Sequence, residues 1–234
     1  MLEKFVSGHF SSYEDFYKNY RVKVPENFNY AFDVVDEWAE REPMRKAIVW
    51  CDETGQSRTF SFSQLKEYSN KAANFFKSLG IKKGNAVMLI LKRRYEFWYC
   101  LLGLHKIGAV CIPATHLLTP KDIIYRTNAA GVKMIVAVSD PRVMENVEKA
   151  EEGSPSLVHK AVIGGVTRKG WIDFDREIEA ASSHFQRPTG KEAALNDDIM
   201  LLYFTSGTTG QPKMVQHSFT YPLGILLQPN IGRT

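Results

Sequence analysis

The run Val87-Met88-Leu89-Ile90-Leu91 sets the strongest limit on the fold. Five consecutive apolar residues leave no polar face, so a strand built from them must be covered on both sides. Met134-Ile135-Val136-Ala137-Val138 has the same character. Val110-Cys111-Ile112-Pro113, Ala161-Val162-Ile163 and the stretch from Ile199 to Phe204 are further apolar strands. Segments with helical spacing lie between them. One is capped by Ser63 and carries Leu65, Tyr68, Ala72, Phe75, Phe76 and Leu79 before Gly80. Others run from Tyr95 to Ile107 before Gly108, from Pro120 through Ala130 to Gly131, and from Arg142 to Ala150. Such alternation predicts βαβ units, and so an α/β fold with mainly parallel sheet and flanking helices.

The remaining segments read as support. Residues 1–27 form an irregular lead-in with aromatic anchors, and a helix opens at Asn29 with Phe32, Val35, Trp38 and Ala39 on one face. Ala47 to Trp50 and Arg58 to Phe60 flank the turn Asp52-Glu53-Thr54-Gly55, which predicts a hairpin. Residues 151–157 and 186–198 are polar and rich in turn formers, as surface loops are. Trp98, Tyr99, Phe75 and Phe76 read as core, because aromatics at helical spacing usually pack.

Composition narrows the function. The chain has 30 basic and 26 acidic residues, a net charge of +4. Its one basic block, Lys92-Arg93-Arg94, reads as a solvated strand end, so nucleic acid is not the expected partner. The cysteines Cys51, Cys100 and Cys111 have no CxxC spacing and predict reduced, mostly buried thiols. The histidines are scattered without a His-x-x-x-His pair, so no metal ligands are expected. The N-terminus carries acids and aromatics in place of a signal peptide's apolar stretch. The window from Phe97 to Ala114 is interrupted by His105-Lys106, so no membrane span is expected. Together these features predict a cytoplasmic protein.

The densest chemistry is Thr205-Ser206-Gly207-Thr208-Thr209-Gly210-Gln211-Pro212-Lys213, which follows an apolar strand directly. A loop in that position lies at the carboxyl end of the sheet, where open α/β folds bind ligands. Gly207 and Gly210 permit backbone angles closed to other residues. The hydroxyls of Thr205, Ser206, Thr208 and Thr209 suit a polyphosphate, and Lys213 adds a mobile positive charge. A polar surface loop without a ligand is the plainer alternative, and the lysine argues against it. The pattern is not the P-loop, whose lysine follows its glycine directly; here two residues separate Gly210 from Lys213, and Met214 follows.

This string resembles the phosphate-binding motif of the adenylate-forming enzymes, Thr-Ser-Gly-Ser/Thr-Thr-Gly-x-Pro-Lys. Resemblance extends to Thr59 through Leu65, to Leu79 through Val87, and to Lys106 through Pro113. Phe28 to Asp33 and Lys213 to Ser218 look closest to the medium-chain acyl-CoA synthetase branch, and the likeness covers nearly all of residues 25–224. It implies that a carboxylic acid and ATP give an acyl-adenylate, from which CoA displaces AMP. Thr205, Ser206, Thr208, Thr209 and Lys213 would then hold the β- and γ-phosphates, Gly207 and Gly210 would shape the loop, and Mg²⁺ would bridge the phosphates. His217 would lie near the acyl and nucleotide sites; taken alone, it reads as a hydrogen-bonded histidine at a helix start.

The family's later motifs, a Tyr-Gly-x-Thr-Glu segment, a ribose-binding aspartate and a late lysine that assists adenylation, are absent after Lys213. The expectation is a partial AMP-binding domain at residues 1–224, inactive alone, with a tail at 225–234 outside the family. In one choice of codons, a single inserted base after codon 224 turns that tail into the branch's Gly-His-Ile-Val-Thr-Ala-Lys-Tyr-Trp-Gln-Asn, so a frameshifted remnant is expected. A designed domain boundary is the alternative. Exposed strand edges would favour self-association. A non-catalytic nucleotide- or acyl-binding module is the competing reading of function.

Overall fold

In the computed structural model, residues 2–6, 10–165, 168–206 and 210–225 are described. The lead-in is tied down by its aromatics: Phe5 buries edge-on against Phe28, with ring centroids 5.5 Å apart. It also holds a helix that the sequence did not announce, α1 (Tyr13–Asn19), capped by the Ser12 side chain. Ala31–Asp36 winds as a π-helix into α2 (Glu37–Arg41), burying Val35 and Ala39. The expected hairpin forms from β1 (Lys46–Cys51) and β2 (Ser57–Ser61), a separate two-stranded sheet. Asp52 shapes its turn by accepting from the Thr54 and Gln56 amides.

The next helix, α3 (Phe62–Ser78), is capped by Ser61 and not by Ser63. Ser61 Oγ accepts from the Gln64 amide at 3.2 Å, and Gln64 Oε1 accepts from the Ser61 amide at 3.0 Å. A capping box needs an acceptor three residues on. Ser61 has Gln64 there, whereas Ser63 has Lys66, which can only donate.

The chain then runs β3 (Ala86–Ile90), α4 (Glu96–Lys106), β4 (Val110–Pro113), α5 (Pro120–Ala130), β5 (Val132–Val138), α6 (Pro141–Ala150), β6 (His159–Ile163), β7 (Ile172–Asp173), α7 (Phe174–Ala180), β8 (Ile199–Thr205), β9 (Lys213–Ser218) and α8 (Tyr221–Gly224), with the expected alternation from β3 to β6. The sheet order is β7-β6-β5-β3-β4-β8-β9, parallel except where β9 runs against β8. Val87 and Leu89 pack with Phe75, Phe76, Leu104 and Phe174 from α3, α4 and α7. Met88 and Ile90 pack on the opposite face with Ile123, Val143 and Val147 from α5 and α6. Helices therefore cover both faces, as an unbroken apolar strand requires.

Besides α1, three more elements escaped the sequence: β7 has two residues, α7 is a short helix after it, and β9 is exposed along most of its length, so no face is marked by apolar alternation. Tyr99, Phe75 and Phe76 are core, but Trp98 is 49% exposed. One position before Tyr99, it points about 100° round the helix, away from the sheet. Cys100 and Cys111 are buried and Cys51 is exposed, all as free thiols.

The last turn of α4 buries two polar residues. Lys106 Nζ donates to Asp36 Oδ1 at 2.8 Å and to Asn70 Oδ1 at 2.6 Å, which ties the π-helix, α3 and α4 together. Desolvation brings this ammonium's pKa down to about 8, against the pull of Asp36. Beside it, neither ring nitrogen of His105 has a partner among the described residues. Burial lowers the imidazole's pKa from 6.5 to about 3. Below pH 6.5 the unfolded chain gains a proton that the folded chain does not, so stability falls as pH drops toward 3. At pH 4.5 this group alone is expected to remove about 3 kcal/mol. His105→Leu should lift neutral-pH stability by about 1–3 kcal/mol, and urea unfolding at pH 7 and pH 4.5 should show a wider gain in acid. An equal gain at both pH values would mean that the imidazole is not held neutral.

Candidate phosphate-binding site

Strand β8 reaches the carboxyl end of the sheet with Thr205 and Ser206 exposed, and the chain returns along β9. The register places Thr205 opposite Lys213, Phe204 opposite Met214 and Tyr203 opposite Val215. The loop therefore closes a hairpin, and Lys213 faces Thr205 across its mouth. Because β8 lies parallel to β4 through the pairing of Cys111 with Leu201, the mouth sits at the carboxyl edge of the parallel strands. Gly210 has φ +89°, and a Cβ there would meet nothing within 4 Å, so glycine serves the backbone angle and leaves open space. Of the expected site residues, the structure brings together Thr205, Ser206, Gly210 and Lys213; Gly207, Thr208 and Thr209 lie outside the described residues.

Helix α5 braces this hairpin. Tyr125 Oη donates to the Pro212 carbonyl at 2.9 Å, and its ring meets Phe204 edge-on with centroids 6.2 Å apart. The Arg126 guanidinium lies 5.2 Å over the Phe204 ring. Arg126 is steered in turn by Asp122 at 3.7 Å. The Thr119 hydroxyl and amide both donate to Asp122, which holds its carboxyl below the usual range and fixes the first turn of α5. Sequence reasoning missed Tyr125, Arg126 and Phe204 as supports. The Thr119-x-x-Asp122 box is legible, but no local pattern shows that Tyr125 meets a carbonyl 87 positions away.

Electrostatics favour an anion here. Lys213 is exposed and has no carboxylate partner among the described residues, so its charge is free for a ligand. In the other basic block two of three charges are paired, Lys92 with Asp140 at 2.7 Å and Arg94 with the buried Glu96, while the Arg93 side chain is exposed. Among the described residues, no three His, Cys, Asp or Glu side chains could together hold a metal ion. No helix among them is long and apolar enough to cross a membrane.

His217 lies on β9 opposite Leu201, not at a helix start. Its ring packs between Tyr203 and Tyr221, at centroid distances of 5.8 Å and 4.0 Å. The plain reading failed because the chain first folds back as a strand, and the helix begins only at Tyr221.

The family model for the AMP-binding enzyme matches residues 35–226. Among curated relatives, the mitochondrial acyl-coenzyme A synthetase ACSM5 of Rattus norvegicus is 36% identical over 210 residues, covering 87% of this chain and 35% of its own length. The mitochondrial acyl-coenzyme A synthetase ACSM4 of Mus musculus is 38% identical over 202 residues, covering 83% and 34%. Among solved structures, the anthranilate CoA ligase AuaEII in complex with anthranoyl-AMP matches with a TM-score of 0.75 at 25% identity, over 88% of this chain and 38% of that one. An acyl-CoA synthetase of Brucella canis matches with a TM-score of 0.71 at 25% identity, over 84% and 34%. The chain thus spans about a third of the length of the curated relatives it matches. With the parallel sheet, the loop at its carboxyl edge and a family match over most of its residues, this chain belongs to the AMP-binding enzyme family.

Proposed function

We propose that this chain carries the phosphate-holding part of an ATP-dependent carboxylic acid:CoA ligase. Thr205, Ser206, Gly207, Thr208, Thr209, Gly210 and Lys213 receive the β- and γ-phosphates of ATP. The observation that carries this reading is Lys213, without a carboxylate partner among the described residues and facing Thr205 across a hairpin mouth at the carboxyl edge of the sheet. In the reaction, a carboxylate oxygen attacks the α-phosphorus, the bond to the bridging oxygen breaks, and pyrophosphate leaves. The thiol of CoA then attacks the acyl carbon and AMP departs. Charge grows on the departing pyrophosphate, and hydroxyl and amide donors with one lysine stabilise it. Were Mg²⁺ bound here, the hydroxyl oxygens of Thr205 and Ser206 could help to hold it, and it would supply charge neutralisation. The anthranoyl-AMP of the related ligase is an acyl-adenylate, the intermediate this reading requires.

Residues 1–224 act as one part of the AMP-binding unit, and His217 lies beside the nucleotide. The chain spans about a third of the length of its curated relatives, and no turnover is expected from it alone. The compartment we assign is the cytoplasm, on the free thiols, although the relatives above are named mitochondrial; cell fractionation decides between them. The function is tested with ³¹P NMR of MgATP. The β- and γ-resonances should broaden on adding the chain, pyrophosphate should reverse the effect, and adenosine should not. Acid-dependent pyrophosphate release with octanoate should stay at background. Reversal by adenosine alone would mean that the base, and not the phosphates, is held; octanoate-dependent turnover would mean that the chain is a complete enzyme.

A further inference from the structure

A second concavity lies at the amino ends of the parallel strands, about a strand length, roughly 20 Å, from the Thr205–Lys213 mouth. Its cavity of ≈ 390 Å³ is bounded by the turn from α3 into β3, the end of α4 and the segment from Phe185 to Glu192. That volume lies within the range of small-molecule pockets, about 300–1,000 Å³. The floor is apolar, formed by Ile81, Ile107, Phe185 and Pro188. The rim carries Lys77, Lys82, Lys83 and Lys191 against a single carboxylate, Glu192. Lys77 is balanced by Glu192 at 3.6 Å. Lys83 is held by Asp198 at 2.8 Å and by the Ala193 carbonyl at 2.7 Å. Lys82 and Lys191 are exposed and have no ion-pair partner among the described residues.

We propose that this concavity binds an aliphatic carboxylate, its tail on the Ile81–Ile107–Phe185–Pro188 floor and its head between Lys82 and Lys191. An inorganic anion would leave the floor wet, and a neutral hydrocarbon would leave the two ammonium groups uncompensated. An amphiphilic monoanion satisfies both. The concave shape argues against a membrane surface, which wants a broad basic face, whereas two of the four rim lysines here are already neutralised. The site is separate from the phosphate hairpin and does not depend on the function assigned to it.

The test uses the whole chain, ¹⁵N-labelled, titrated with sodium octanoate below its micelle concentration. Amides of Gly80, Ile81, Lys82 and Lys191 should shift. From butyrate through hexanoate to octanoate, affinity should rise about fourfold for each methylene that buries. In Lys82→Gln/Lys191→Gln, octanoate should bind about fivefold more weakly while octanol is unaffected, because only the head group has lost its partners. Lys213→Ala should leave octanoate binding unchanged. Shifts centred on the Ser206–Lys213 hairpin, an affinity independent of chain length, or equal octanoate binding by the double variant would each overturn the proposal. So would lysine-dependent flotation on phosphatidylglycerol vesicles without any octanoate shift, which would make this face a membrane contact.

Discussion

Lys106→Met is expected to cost about 3–5 kcal/mol of folding stability at pH 7, because it leaves a buried carboxylate without its cation. Domains of this kind are stable by only about 5–15 kcal/mol, so much of the chain would be near unfolding. The loss has two parts. Asp36 keeps a negative charge in a desolvated position, and Asn70 Oδ1 loses the donor that reached it at 2.6 Å. Burial already raises the Asp36 pKa above 3.8, and without Lys106 it rises further. The folded variant then holds a proton that the unfolded chain releases above pH 3.8, so the penalty grows as pH rises through the folded pKa and is absent near pH 3.8. A protonated Asp36 can also donate to Asn70, which helps in acid. Urea unfolding of Lys106→Met should therefore show most of the loss at pH 7 and little at pH 4, and Lys106→Met/Asp36→Leu should recover most of the pH 7 deficit. A loss under about 1 kcal/mol at pH 7 would show that the pair is not desolvated.

Gly103→Val should be nearly as damaging, at about 3 kcal/mol, through packing and not charge. Gly103 lies where α4 meets α3. A Cβ there would come within 2.7 Å of Ala72 Cβ and 2.8 Å of the Ala73 amide nitrogen. Those neighbours are fully buried, and one contact is backbone, so the helices must part. Even Gly103→Ala should lose stability, although alanine gains about 1 kcal/mol in an isolated helix. The same separation would disturb the Lys106 knot one turn further along α4. Thermal unfolding decides it: if Gly103→Ala melts above the parent, helix propensity outweighs the contact and the packing account is wrong.

The strands were legible because their signal is local and redundant. Val87–Leu91 and Met134–Val138 admit no polar face, and Pro120 with Gly131 bracket α5 at both ends. The segment from Thr205 to Lys213 stands out as a candidate site from its residue types alone. Its geometry was not legible, because the return strand β9 is mostly exposed and presents no apolar face. The brace from Tyr125 to Pro212 is a tertiary contact that neither segment encodes alone. His105 and Lys106 show the opposite failure. In sequence they interrupt an apolar window and look like surface, yet they are 3% and 1% exposed. Their burial depends on Asp36 and Asn70, which approach from other elements, and nothing near Lys106 in the chain reports that partner set. The cap of α3 carries a local signal, Ser61-x-x-Gln64, which outweighs Ser63 because Lys66 cannot accept.

The central claim is that the hairpin from Thr205 to Lys213 is an anion site organised around Lys213. Titrating the ¹⁵N-labelled chain with sodium pyrophosphate while following amide resonances tests it most directly. The account predicts millimolar affinity, about −4 kcal/mol. Shifts should centre on Ser206, Gly207, Thr208, Thr209 and Gly210 and weaken as salt rises, since an exposed charge is screened within roughly 10 Å at 0.1 M ionic strength. Lys213→Ala should reduce those shifts and leave the rest of the spectrum in place, because the side chain is exposed and contributes little to the core. Shifts that persist unchanged in Lys213→Ala, or that centre on Lys92, Arg93 and Arg94, would contradict the assignment.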